Sequence, residues 1–127
     1  MSIVSVPSDL LYTADHEWVR VKGDVARIGI THYAQDALGD IVFIQLPTVG
    51  SKVSVQESFS EIESTKSVND VYAPLAGTVS AANDALSATP ELLNSDPYGE
   101  GWICEITLDD PSTDGLMGAD EYSRLIG

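Results

Sequence analysis

Few side chains in this sequence are placed to do chemistry, and the first is a solitary amine. Lys66 lies within Ser64-Thr65-Lys66-Ser67, and it is the only basic residue between Val53 and Ala119. The usual role of an exposed lysine is solubility. That reading is weakened by scarcity, because the chain holds six Lys plus Arg against twenty Asp plus Glu. The other reactive groups lack partners. Cys104 is the single cysteine and shares a strand face with Trp102, Ile106 and Leu108, the pattern of a buried structural thiol. His16-Glu17 lacks the second histidine of a zincin helix, and His32 reads as a polar residue of a short helix. No Cys or His pair has metal spacing, and no Gly-rich phosphate loop or Gly-x-Ser-x-Gly elbow is present. Among the twenty acids no pair stands out as a hydrolase dyad.

The elements that must hold Lys66 follow from periodicity. Residues 59–64 place Phe59, Glu61 and Glu63 on one face and Ser60, Ile62 and Ser64 on the other, the alternation of a strand. Residues 68–73 repeat it until Pro74 and Gly77 stop the strand. Two strands around residues 64–67 make a hairpin with Lys66 at or beside its tip, where a visiting enzyme can reach the amine.

The rest of the chain reads as further short strands. Residues 1–14 are a loosely patterned lead-in. Residues 17–22 and 25–30 flank the turn signal Gly23-Asp24 and predict a hairpin. Thr31 is a helix N-cap, with Tyr33, Ala34, Ala37 and Leu38 on one face before Gly39. Residues 40–46 are nearly continuous apolar sequence, predicting a strand buried on both faces and ended by Pro47. Val53 and Val55 are expected to point inward. A strand over 78–82, an irregular run over 83–88 and one helical turn over 90–94 follow. Asp96-Pro97-Tyr98-Gly99 is a turn, 102–108 the last strand, and 118–126 a helix with Tyr122, Leu125 and Ile126 on one face. Gly118 is a weak N-cap for that helix.

About seven short strands without a βαβ rhythm predict a mostly β fold, an antiparallel sandwich or flattened barrel with a few short helices including a C-terminal one. The recurrence of Gly50-Ser-Lys-Val53 and Gly77-Thr-Val79 around the hairpin suggests two half-domains related by a pseudo-two-fold. The length of 127 residues suits a single domain, 1–127, with its core at about 15–108.

A formal net charge of −14 argues against nucleic acid and against an anionic membrane surface as partners. It suits a soluble carrier that meets basic docking sites, and it suits simple colloidal solubility equally well. One cysteine precludes an intramolecular disulfide. The N-terminus lacks the pattern of a signal or transit peptide, and no apolar run reaches membrane-spanning length, so the cytoplasm is the expected compartment.

Glu63-Ser-Thr-Lys-Ser-Val68, with Asp70-Val-Tyr-Ala-Pro74 and Gly77, resembles the lipoyl-attachment hairpin of the glycine cleavage system H protein family. Biotin carriers flank their lysine with methionines, where this chain has Thr65 and Ser67. The resemblance extends through Asp15-His-Glu-Trp18, Ile28-Gly-Ile-Thr31, Ala34-Gln35, Leu38-Gly-Asp-Ile-Val42, Leu46-Pro47, Val49-Gly50, Leu93-Asn-Ser-Asp-Pro-Tyr-Gly99 and Gly101-Trp102, in the family order.

The resemblance implies a lipoyl-domain fold of the barrel-sandwich hybrid type and a carrier without catalysis of its own. Lipoic acid would be joined to Lys66 through an amide. Its arm would carry the aminomethyl group of glycine between a pyridoxal-phosphate glycine decarboxylase, a tetrahydrofolate-dependent aminomethyltransferase and a flavin dihydrolipoyl dehydrogenase. A lipoylating enzyme is the fourth partner, and the chain is expected to be a monomer. Glu17 and Asp70 would lie near a cleft for the loaded arm. Glu63, Ser64 and Thr65 would serve recognition, and no metal is expected. The alternatives are a lipoate relay carrier and an unmodified protein-interaction module in which Lys66 is only a turn residue.

Overall fold

The computed structural model describes residues 5–110, 112–113 and 115–127. Gly23 adopts φ +65°, a left-handed conformation that costs glycine little, and so closes the turn between β2 (Glu17–Lys22) and β3 (Val25–Ile30). A six-stranded antiparallel sheet grows from this hairpin. Its order is β1 (Leu11–Tyr12), β2, β3, β9 (Cys104–Leu108), β8 (Gly77–Ala82) and β5 (Lys52–Val53). A second antiparallel sheet of three strands runs β4 (Ile41–Gln45), β6 (Ser58–Ser64), β7 (Val68–Tyr72). Ile28, Val79 and Ile106 of the large sheet and Ile44, Ile62 and Val71 of the small one share the main core. This is the mostly β barrel-sandwich hybrid that the strand pattern and the resemblance predict.

Four short helices lie among the described residues: α1 (His32–Leu38), α2 (Ala85–Ala88), α3 (Leu92–Ser95) and α4 (Ala119–Ile126). Thr31 caps α1 as expected, its Oγ1 accepting the Ala34 N–H at 3.2 Å. α4 has no side-chain cap at Gly118, yet it is held by Tyr122, which is fully buried and stacks on Tyr12 with centroids 4.7 Å apart. None of the helices among the described residues is long and apolar enough to cross a membrane.

Several expectations are corrected. The strand at 40–46 is buried on one face only. A bulge between Ile41 and Phe43 inserts Val42, so Ile41 and Ile44 both turn inward while Val42 and Phe43 stay about half exposed. Val55 is exposed because the chain leaves β5 and turns at Gln56, where φ is +69°. Leu125 is exposed as well, since α4 docks through Tyr122 and Ile126, one turn apart. The lead-in contains β1, whose two residues pair with Val19 and Trp18 and are too short to show a period. The run 83–88 includes α2, which buries Leu86. Apart from these corrections, the recurring segments 50–53 and 77–79 pair antiparallel with each other, Lys52 opposite Thr78 and Val53 opposite Gly77.

Candidate functional site

Lys66 is exposed in the turn between β6 and β7, as the alternation on either side requires. Ser64 builds the turn. Its Oγ accepts the N–H groups of Lys66 and Ser67, both at 3.2 Å, and its own N–H donates to Ser67 O at 2.8 Å. Asn69 Nδ2 donates to Ser67 Oγ at 2.8 Å. Thr65 is exposed, and its backbone N–H donates to Asp40 O at 3.0 Å, tying the tip to the connection after α1. Of the residues predicted for recognition, Ser64 and Thr65 therefore hold the turn itself. Glu63 is half-buried, opposite Phe43 and Val68 in the register.

The anchor for this tip is a residue that local sequence reading passed over. Asn94 Nδ2 donates to Gly39 O at 2.8 Å and to Gln35 Oε1 at 3.0 Å, and its Oδ1 accepts the Ile41 N–H at 2.9 Å. One amide thus joins the end of α1 to the start of β4, leaving Asp40 O aimed at Thr65. Gly39 is held at φ +80°, and a Cβ there would come within 3.2 Å of Lys66 Cε. The lysine stem lies over the glycine. The only sequence signal for this role was the place of Asn94 within Leu93-Asn-Ser-Asp-Pro.

Between α1 and the inner face of the hairpin lies a cavity of about 200 Å³. Ile30, Ala34, Leu38, Ile62 and Val71 supply its apolar wall, and Glu17, His16, Tyr33 and Asn69 add polar groups. The Ile62–Asn69 pair is one row in from Glu63–Val68, the last strand pair before the turn that carries Lys66. Glu17 is the first residue of β2, in the hairpin that the sequence predicts. In the fold Glu17 is only 2% exposed. Thr13 Oγ1 donates to its Oε1 at 2.6 Å, and the Tyr72 N–H points at its Oε2 from 3.4 Å. Burial, assisted by the charge of Asp15, pushes the carboxyl up to about 7 despite those two donors.

That displacement carries a sign for stability. The folded chain favours the protonated carboxyl, so this contribution is complete below about pH 4.5 and is lost as the pH rises through about 7. Glu17→Gln keeps the side chain neutral and is expected to exceed the parent in stability at pH 8, by up to about 3 kcal/mol. At pH 4 the two should match. Urea midpoints at both pH values check this, and an advantage that persists undiminished at pH 4 would exclude the buried carboxyl as its cause.

His16 adopts φ +72° and turns its ring against Tyr33, with centroids 4.6 Å apart, and against Tyr122, whose hydroxyl is 2.8 Å from Nδ1. Burial holds its pKa below the usual value, favouring the neutral imidazole. The same hydroxyl is 2.8 Å from Thr31 Oγ1, so α4 latches one wall of the cleft. Asp70 borders the cleft and also a larger outer cavity of about 340 Å³. Its Oδ1 accepts from Ser58 Oγ at 2.9 Å. Glu17 and Asp70 thus lie around one cleft, with Glu17 deep and Asp70 at its lip. Cys104 is fully buried on β9 and far from ionising, its thiol pushed up to about 12 by burial, in keeping with a structural role. Among the described residues no cluster of three His, Cys, Asp or Glu is arranged to hold a metal.

The chain is similar to known proteins in sequence and in fold. A family model described as "Glycine cleavage H-protein" matches residues 10–127. The glycine cleavage system H protein of Mycobacterium bovis (strain BCG / Pasteur 1173P2) is 56% identical over 115 residues, covering 90% of this chain and 86% of that one. The probable glycine cleavage system H protein of Haloarcula marismortui is 54% identical over 122 residues, covering 95% and 96%. The crystal structure of a glycine cleavage system H protein from Mycobacterium marinum superposes with a TM-score of 0.89 at 43% identity, covering 96% of this chain and 99% of that one. Sequence and fold agree over nearly the whole length, and this chain belongs to the glycine cleavage H-protein family, whose members are carriers rather than catalysts.

Proposed function

We propose that Lys66 carries lipoic acid through an amide at Nζ and that the chain, acting as one carrier domain, shuttles the aminomethyl group of glycine. The stations are the decarboxylase, the aminomethyltransferase and the dihydrolipoyl dehydrogenase of the glycine cleavage system. The observation that carries this reading is an exposed lysine on a braced hairpin tip whose inner face leads to an apolar cleft with Glu17 at its polar end.

The residues present fit such a group. The tip offers an amine that no described acid pairs with, and the cleft offers an apolar wall for a hydrocarbon arm. When attached, lipoate supplies a disulfide that accepts the one-carbon amine as the S–S bond is reduced. The chain's own residues then act by holding and excluding. Ile30, Leu38, Ile62 and Val71 keep water from the cleft. Glu17, poised near neutrality, ionises when an ammonium group approaches and pairs with it. Asp70 offers a second carboxylate at the lip. Tethering raises the effective concentration of the arm at each docked enzyme, so weak and rapid docking suffices.

Intact mass is the test. After incubation with a lipoylating enzyme, lipoate and ATP, the chain is expected to gain one lipoyl increment. A mass unchanged by this treatment, and unchanged again after co-expression with the enzyme, would overturn the reading.

A further inference from the structure

We propose that Val42, Phe43 and Val68 form the surface on which the enzyme that builds the amide at Lys66 docks. The proposal rests on the reading of Lys66 as the attachment point.

Six large apolar side chains are exposed among the described residues, and these are three of them, each more than half exposed. They gather on the smaller sheet. Phe43, Glu63 and Val68 stand directly opposite one another across β4, β6 and β7, so their side chains share the outer face. Val42 joins them because the β4 bulge turns two consecutive residues outward, where a regular strand would bury one of the two. Glu63 is three residues before Lys66 and Val68 two after it, which makes this the row of the sheet nearest the tip. The inner face of the hairpin is committed to the cleft through Ile62 and Val71. The outer face remains for a partner.

The position of the reacting atom selects that partner. Enzymes that act on the far end of a flexible arm can work without covering the tip. The enzyme that makes the amide cannot, since its bond forms at Nζ itself. There the neutral amine attacks the carbonyl carbon of an activated lipoyl donor of the acyl-phosphate anhydride class. The C–N bond forms, the C–O bond to the phosphate breaks, and an amine proton passes to solvent. The rim of that active site must therefore pack against whatever surrounds Lys66, and exposed apolar groups become energetic anchors when such a rim covers them. Charge fixes the complement. The next row is Gln45, Glu61 and Asp70, with the two acids directly opposite each other. The partner is accordingly an apolar patch with a basic margin.

The test compares apo protein with the Phe43→Thr/Val68→Thr double variant, whose β-branched replacements preserve strand propensity. Val49→Thr, an exposed apolar site outside the three-stranded sheet, is the control. Initial rates of lipoyl transfer are read by intact mass with the lipoylating enzyme, lipoate and ATP. The double variant is expected to raise KM about tenfold or more with kcat within about twofold. The control should stay within about twofold of the parent on both parameters. Circular dichroism and urea midpoints confirm folding, and Phe43→Tyr, which keeps the ring, should restore most of the affinity in the Val68 background. A double-variant KM within about twofold of the parent overturns the proposal while leaving the attachment reading intact. A parent that takes up no lipoyl mass overturns the attachment reading instead, and this proposal with it.

Discussion

Lys66→Arg is expected to leave the modifying reaction with its mass unchanged while unfolding at the parent's urea midpoint. The expected loss of modification is complete. A guanidinium stays protonated and delocalised at any workable pH, so it offers no nucleophilic lone pair for an acyl group, whereas a lysine amine can lose its proton. The structure separates this chemical loss from a folding defect. Lys66 is exposed, its stem lies over Gly39, and no described acid pairs with its head. An arginine stem can take the same path. Turn geometry depends on Ser64 Oγ and on backbone groups of residues 65 and 67, which the substitution leaves in place. A lipoyl increment on the variant would transfer the attachment to another lysine, Lys22 or Lys52, and remove Lys66 from the centre of the site.

Trp18→Ala is expected to carry the largest stability loss, about 3–5 kcal/mol. Domains of this size are commonly stable by only about 5–15 kcal/mol, so the variant should sit near the edge of folding. Trp18 is fully buried, and its Nε1 donates to Pro97 O at 2.9 Å. Its ring lies directly on Gly29, where a Cβ would approach Nε1 to 2.6 Å, and the Tyr98 ring lies 6.3 Å away, centroid to centroid. Truncation would leave a cavity and also a buried carbonyl without its donor. Gly29→Ala should destabilise through the same contact, because the added methyl meets the indole. Urea midpoints measure both, and a loss below about 1 kcal/mol for Trp18→Ala would mean that the pocket collapses around the smaller side chain.

The three motifs that meet at Trp18 show why a resemblance spread along the chain was informative. Trp18 belongs to the His-Glu-Trp segment, Gly29 to Ile28-Gly-Ile-Thr31, and Pro97 to the Asp-Pro-Tyr-Gly turn. Separated by as many as 79 positions in the chain, they form one packed contact. No local periodicity points to such a contact, since each segment reads as an ordinary strand or turn.

What the sequence by itself determined is the set of features governed by neighbours two to four residues apart. Alternation along 59–64 and 68–73 was enough for the lysine hairpin, Gly23-Asp24 for the β2–β3 turn, and Thr31 for the cap of α1, because pleat and cap geometry are local. The tertiary structure decided the rest. The apolar run at 41–44 carries no period from which a bulge can be inferred, so the exposure of Val42 and Phe43 depends on the register against β6. Glu17 looked like an ordinary strand acid until Thr13 and Tyr72, the latter 55 residues away, closed over it and burial raised its pKa. Asn94 sits in a short helical turn and braces a hairpin tip nearly thirty positions earlier through Gly39, Ile41 and Asp40. Burial and long-range hydrogen bonds are properties of the packed chain, and they turn a lysine on a turn into a braced amine above a cleft.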